Sequence, residues 1–119
     1  MLIRKLENRA EFIAGDGTIL REMLRSEDVN NAIHYSFAHA RLHPEQASVK
    51  HRLRANEVYY ILAGKGIVQI DGERQEVGPG DCIYIPPLAI QHIENTGLGD
   101  LVFLCIVDPA WSKDDEEVI

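Results

Sequence analysis

EVYYILAGKGIVQIDGERQEVGPGDCIYIPP, residues 57–87, is the stretch whose punctuation decides the fold. Its apolar runs, Val58–Leu62, Ile67–Ile70 and Cys82–Ile85, are too short for helices and rich in β-branched and aromatic side chains, which fit a pleated surface. Asp71-Gly72, between Ile67–Ile70 and the polar ERQEV, is the dipeptide of a two-residue type I′ hairpin. Gly78-Pro79-Gly80-Asp81 reads as the tight turn before CIYIPP, and Gly64 and Gly66 as glycines taking φ > 0 at a strand junction. Further out, Leu101–Val107 (LVFLCIV) reads as another strand. Tyr35–Leu42 (YSFAHARL) reads as one that ends at His43-Pro44, where proline removes a donor. Thr18–Leu24 (TILREML) is short enough to suit helix or strand, and is assigned to strand because the remainder is β. Strands about ten residues apart, with turn chemistry between them, indicate an all-β sandwich or barrel rather than βαβ units.

The 119 residues, 45% hydrophobic and 26% charged, suffice for one globular domain with a core and leave no room for a second lobe. The expected organisation is an N-terminal arm with the first strands over 1–34, a barrel over 35–107 and an acidic C-terminal tail over 108–119. A net charge of -7 argues against a partner whose backbone is a row of phosphates, so nucleic acid is excluded. The charge is uneven. Residues 1–54 carry nine basic and seven acidic groups, against three and twelve in 55–119, and the run Asp114–Glu117 reads as solvated tail. Trp111 is expected to cover a sheet or a partner subunit. Cys82 and Cys105 lie in apolar runs with no CxxC spacing, which suggests buried free thiols and a reducing compartment. The opening MLIRKLENRAEF has no signal-like apolar stretch, and no run reaches the ~20 residues that span a bilayer. A cytoplasmic protein with no membrane partner is expected.

Ser48–Arg54 (SVKHRLR) places Lys50, Arg52 and Arg54 at one parity and His51 and Leu53 at the other. Successive side chains of a strand point to opposite faces, and a face with three cations must meet water, so His51 and Leu53 turn inward. Glu57 follows at the mouth of VYYIL. A carboxylate entering a strand interior beside an inward imidazole needs a partner: a divalent metal, a histidine or an arginine.

His51-x5-Glu57-x6-Gly64, followed by Gly80-x5-Pro86 and then Asn95, resembles the two motifs of the cupin superfamily, G-x5-H-x-H-x3,4-E-x6-G and G-x5-P-x-G-x2-H-x3-N. The likeness covers roughly residues 45–95. It implies a jelly roll, or double-stranded β-helix, of two antiparallel sheets whose interior holds a metal on three histidines and a glutamate. His51 and Glu57 match two of those ligands. The second histidine is Leu53 here, and the last falls on Gln91, or on His92 if a one-residue bulge reverses the parity. Small cupins of similar pattern carry a histidine where Ala38-His39-Ala40 stands, which makes His39 a further candidate ligand. The implied cofactor is a divalent ion such as Zn²⁺, Mn²⁺, Fe²⁺ or Ni²⁺.

Of Tyr59 and Tyr60 one ring should face the cavity and hydrogen-bond a small-molecule ligand, with Arg41 a candidate for an anionic group. His34 and His43, at strand ends, are expected in solvent. Cupins include metal-dependent dioxygenases, isomerases and ligand-binding barrels, so the fold leaves the activity open. Three readings follow: a metal-dependent enzyme of dioxygenase or isomerase type, a non-enzymatic barrel with a reduced ligand set, and a sugar-phosphate isomerase, for which the outward cations are badly placed. Exposed sheet edges and the apolar residues Leu2, Ile3, Phe12, Ile19 and Leu20 suggest a homodimer formed through the N-terminal strands.

Overall fold

A computed structural model describes residues 1–119. Eleven strands form two antiparallel sheets, and the only helices are three short 3₁₀ turns. The first sheet runs in the order β1 (Glu11–Ile13), β2 (Ile19–Leu24), β3 (Ser36–Leu42), β10 (Leu101–Asp108), β5 (Asn56–Ala63) and β8 (Cys82–Ile85). The second runs β11 (Glu116–Val118), β4 (His51–Leu53), β9 (Gln91–Asn95), β6 (Gly66–Ile70) and β7 (Glu73–Val77). No helix is long and apolar enough to cross a membrane.

The sheets face each other across a core to which alternate residues contribute: Tyr59 and Ile61 of β5, Leu101, Phe103 and Cys105 of β10, Ile83 and Ile85 of β8, Val68 of β6 and Ile93 of β9. Period-two alternation therefore sets the inside and outside of nearly every strand. Beside β10 in the same sheet, β3 turns Ser36, Ala38 and Ala40 inward along most of its length and the large, fully buried Leu42 at its end.

The turn chemistry is as the sequence suggests. Asp71 and Gly72 have φ of 49° and 87°, the left-handed pair that a type I′ turn demands, and they join Ile70 to Glu73 in register. Gly64 has φ 89°. Gly66 does not. It is required because a Cβ there would lie 2.6 Å from the Glu94 carbonyl oxygen. Cys82 also departs from expectation: it is exposed on the outer side of β8, and only Cys105 is buried.

The C-terminus does not leave the barrel as an acidic tail. Glu116–Val118 pairs antiparallel with β4, setting Glu116 opposite Leu53 and Glu117 opposite Arg52. Residues opposite one another share a face, so Glu116 turns inward with Leu53, while Glu117 meets Arg52 outside at 2.9 Å. Trp111 packs against the small cluster of Leu53, Ala55 and Val107. Local charge density had concealed this strand, because its partner is supplied by a segment more than sixty residues earlier.

Candidate functional site

One end of the barrel holds a cavity of about 70 Å³ of space for water. That is room for an ion and a ligand of a few heavy atoms, well short of the ~300 Å³ at which sites for drug-sized ligands begin. Phe12, Phe37, Phe103 and Trp111 form much of its apolar wall. Its polar lining includes Asp16, Glu22, Glu57 and Glu116 together with His51, and no lysine or arginine is present.

Register brings the central groups together. His51 of β4 stands opposite Gln91 of β9, and Glu57 and Tyr59 follow at inward positions of β5; all four are buried. The His51 Nδ1–H donates to the Val49 carbonyl oxygen at 2.7 Å, which fixes the ring and leaves Nε2 as the atom for the cavity, the arrangement in which metal-ligating histidines are usually held. Tyr59 Oη donates to Gln91 Oε1 at 3.0 Å, and Gln91 Nε2 donates to Glu57 Oε1 at 2.8 Å. Gln91 is thus engaged at both ends and stands behind Glu57, off the cavity wall. Burial pushes the Glu57 carboxyl up to about 8, against the opposing hydrogen bond from Gln91, and the acids Asp16 and Glu116 raise it further. At neutral pH it is mainly protonated. Burial likewise holds the Tyr59 phenol and the Cys105 thiol well above their ordinary values, so both remain neutral.

Three acids reach the cavity that sequence reading missed: Asp16, Glu116 and, at its edge, Glu22. Asp16 lies in the turn between β1 and β2, and its carbonyl accepts from Val49 N at 2.8 Å, so the turn is tied to the segment that leads into His51. Asp16 Oδ2 comes to 3.5 Å from His51 Nε2. Glu116 enters on β11 and accepts from Trp111 Nε1 at 2.9 Å. Trp111 therefore lines the site as well as covering β4. Glu22, at the edge, is paired with Arg25 at 2.7 Å.

Other candidates fall elsewhere. His39 shares the outward parity of β3 with Arg41, is not among the cavity-lining residues, and does not join His51 and Glu57. It faces that way because Ala38 and Ala40 are the residues small enough for the space opposite Phe103 and Cys105. Arg41 is also outside, paired with Glu11 at 2.7 Å and Asp100 at 3.2 Å, so no arginine awaits an anion in the cavity. Of the two tyrosines, Tyr59 is inward and Tyr60 exposed. His92 lies on the outer face with its Nε2 2.9 Å from Gln69 Oε1, so β9 has no bulge that turns it inward. His34 and His43 are exposed.

A family model described as the cupin domain matches residues 38–107, well over half of the chain. The chain belongs to the cupin family. This cupin is 37% identical over 109 residues to an uncharacterised protein of Methanocaldococcus jannaschii, covering 91% of this chain and 86% of that one. It is 30% identical over 113 residues to an oxalate-binding protein of Thermotoga maritima, covering 90% and 93%. Among solved structures, a predicted oxalate decarboxylase of Thermotoga maritima superimposes with a TM-score of 0.81 at 23% identity, over 91% of this chain and 99% of that one. At that identity the superposition speaks for the fold.

Does the cavity of this cupin suit the divalent ion that the family implies? The donor chemistry does. One oriented imidazole and several carboxyl groups, with no lysine or arginine among them, form the lining that a dication balances. The groups stand around the cavity, and no three histidine, cysteine or acidic side chains share one ligating point.

Proposed function

We propose that this cupin binds one divalent metal ion inside the barrel, on His51 and Glu57, with Gln91 holding the Glu57 carboxyl and Tyr59 holding Gln91. The observation that carries the reading is the cavity's donor set: the oriented His51 imidazole beside the buried carboxyl groups of Asp16 and Glu57, with no lysine or arginine in the lining. Ionising Glu57 beside Asp16 would leave two buried negative charges, which a dication would balance. When bound, the ion supplies a Lewis acid for an oxygen of a small ligand, and the phenyl and indole walls fit that ligand's apolar part. The proton on Glu57 leaves as the ion enters, so binding strengthens as pH rises toward 8.

The same charge bears on the ligand. Oxalate, named for the Thermotoga maritima relative, would meet acids and no lysine or arginine in the metal-free cavity, so any oxalate binding here depends on the metal. Isothermal titration should show oxalate heats with Mn²⁺ present and none in EDTA; binding in EDTA would contradict the electrostatic argument. A phosphate-bearing sugar is disfavoured for the same reason, since Lys50, Arg52 and Arg54 are absent from the cavity lining.

Titration with Mn²⁺ and Zn²⁺ tests the metal itself: one ion per wild-type chain and none in His51→Ala supports the reading. The satisfied chain Tyr59–Gln91–Glu57 favours a second one, a metal-free ligand-binding barrel, and wild-type protein indifferent to both ions would support that instead. A homodimer, and residence in a reducing cytoplasm where Cys82 and Cys105 stay free, complete the proposal.

A further inference from the structure

All three phenylalanines of the chain, Phe12, Phe37 and Phe103, its single tryptophan, Trp111, and one of its four tyrosines, Tyr59, line one cavity. Tyr59 and Phe103 meet as tilted rings with centroids 4.7 Å apart. The polar ends of two of the rings are already occupied: Tyr59 Oη donates to Gln91 at 3.0 Å and Trp111 Nε1 to Glu116 at 2.9 Å. What these rings offer a ligand is therefore π surface. The acceptors are mostly spent as well. Asp16 Oδ1 accepts from Thr18 N at 2.9 Å, and its Oδ2 faces His51 Nε2 at 3.5 Å. Glu22 is paired with Arg25. Glu57, less than a tenth exposed, accepts the Gln91 amide at Oε1 and has no hydrogen bond at Oε2. Glu116 differs in its charge balance, because its hydrogen-bond donor is the neutral indole N–H and the lining offers it no lysine or arginine.

Ring faces, a carboxylate without a counter-cation and few open acceptors together select one kind of ligand. A cation over an aromatic face is attracted by the ring quadrupole, most strongly by tryptophan and most strongly out of water. A primary ammonium brings three N–H donors, each in need of an acceptor, whereas a fully alkylated ammonium brings none. We propose that the cavity binds a small, fully alkylated ammonium ion, with its alkyl groups against Phe12, Phe37, Phe103 and Trp111 and its charge balanced by Glu116. Trp111 and Glu116 both come from the C-terminal segment that pairs with β4, so ring and counter-charge arrive as one unit. About 70 Å³ of space admits such a head group and little more. Binding of this kind needs no metal ion and stands apart from the reading above. The ligand's charge is spread over its alkyl groups, so it does not require three donors at one point, and none converge here.

The probe is choline, added to the untagged full chain in EDTA and followed by calorimetry and by the fluorescence of Trp111, the only tryptophan of the chain and a wall of the cavity. The comparison is its uncharged analogue, in which a tert-butyl group of the same shape replaces trimethylammonium. Choline should shift the Trp111 emission and bind roughly tenfold tighter than the analogue. Glu116→Gln keeps the shape of the side chain and should remove most of that preference while leaving the affinity for the analogue unchanged. Equal affinity for the two compounds would make the cavity a plain apolar pocket and overturn the proposal, as would choline that gives neither heat nor a shift in emission. A wild-type preference in folded Glu116→Gln would overturn the assignment of the counter-charge. If that variant loosens β11, seen as a lowered melting temperature, the comparison of the two compounds in wild type decides. EDTA keeps metal out of the cavity, so failure here leaves the metal reading standing; protein that prefers choline and takes up no Mn²⁺ overturns that reading and not this one.

Discussion

Glu57 sits at an inward position of β5 with one hydrogen bond and two acids for neighbours, and the consequence can be measured without any ligand. Its carboxyl titrates near 8 in the folded chain against an ordinary value of 4.5. Between those values the folded state keeps a proton that the unfolded state has lost. The group's contribution to stability is therefore fully present below pH 4.5, falls by roughly 1.4 kcal/mol per pH unit across the window, and is lost above pH 8. Glu57→Gln keeps the shape and removes the titration. In EDTA its melting temperature should exceed that of wild type at pH 8.5 and match it near pH 4.5; a gap that is the same at both would show that burial of this carboxyl is not the cause. His51 was legible in the sequence because three cations of one parity force the intervening residues inward, and Glu57 because it is a lone carboxylate at the mouth of the apolar run VYYIL. Asp16 and Glu116 were not, since a loop hydrogen bond and an edge pairing place them and no local period encodes either. His39 was misplaced because neither parity of YSFAHARL is plainly apolar, one carrying Ser36, Ala38, Ala40 and Leu42 and the other Tyr35, Phe37, His39 and Arg41, and the small set turns in beside Phe103 and Cys105 of the neighbouring strand β10.

Among the elements, the Asp71-Gly72 hairpin and the C-terminal strand β11 mark the two ends of what local sequence can specify. The hairpin needs two residues at positive φ, and Asp-Gly supplies them wherever it occurs. Gly72→Ala should cost about 1 kcal/mol through its φ of 87°, whereas Gly99→Ala, where a Cβ meets nothing within 4 Å, should be close to neutral; denaturant midpoints of the two separate backbone strain from loss of a glycine as such. β11 is different. KDDEEV has the composition of a solvated tail and becomes a strand only because β4 offers Arg52 to Glu117 on one face and Leu53 beside Trp111 on the other. Trp111→Ala removes that apolar cover and the Glu116 donor together. It should lower stability by about 2 kcal/mol, less than for a fully buried tryptophan because the ring is only partly covered. An unchanged midpoint would mean that β11 is not held by this packing.

At the scale of the whole molecule the two sheets differ in their outer faces. The second sheet is polar outside, with Gln69 against His92 and Arg74 near Glu94. The first is divided: Arg21, His39 and Arg41 occupy the outer side of β2 and β3, whereas over β10, β5 and β8 Tyr60, Leu62, Tyr84 and Ile106 are exposed, with Ile106 opposite Val58 and Leu104 opposite Tyr60. A sandwich needs apolar residues only on its inner faces, and an apolar outer patch suits a second copy of itself. The proposed homodimer therefore belongs on this patch. Leu2, Ile3 and Ile13 are exposed and available to extend it, while Phe12 faces the cavity opposite Leu20, Ile19 is buried and Leu20 packs on the core, so these three take no part. Light scattering should give twice the 13.4 kDa of the chain, falling to the single mass in Ile106→Glu; a monomeric wild type refutes the dimer. Elemental analysis of untagged protein purified without chelator tests the proposed metal in the cavity most directly. One equivalent of a divalent transition metal per chain, removed by Glu57→Gln and His51→Ala in folded protein, is the result expected; metal-free protein that takes up none on dialysis against Mn²⁺ or Fe²⁺ would contradict it.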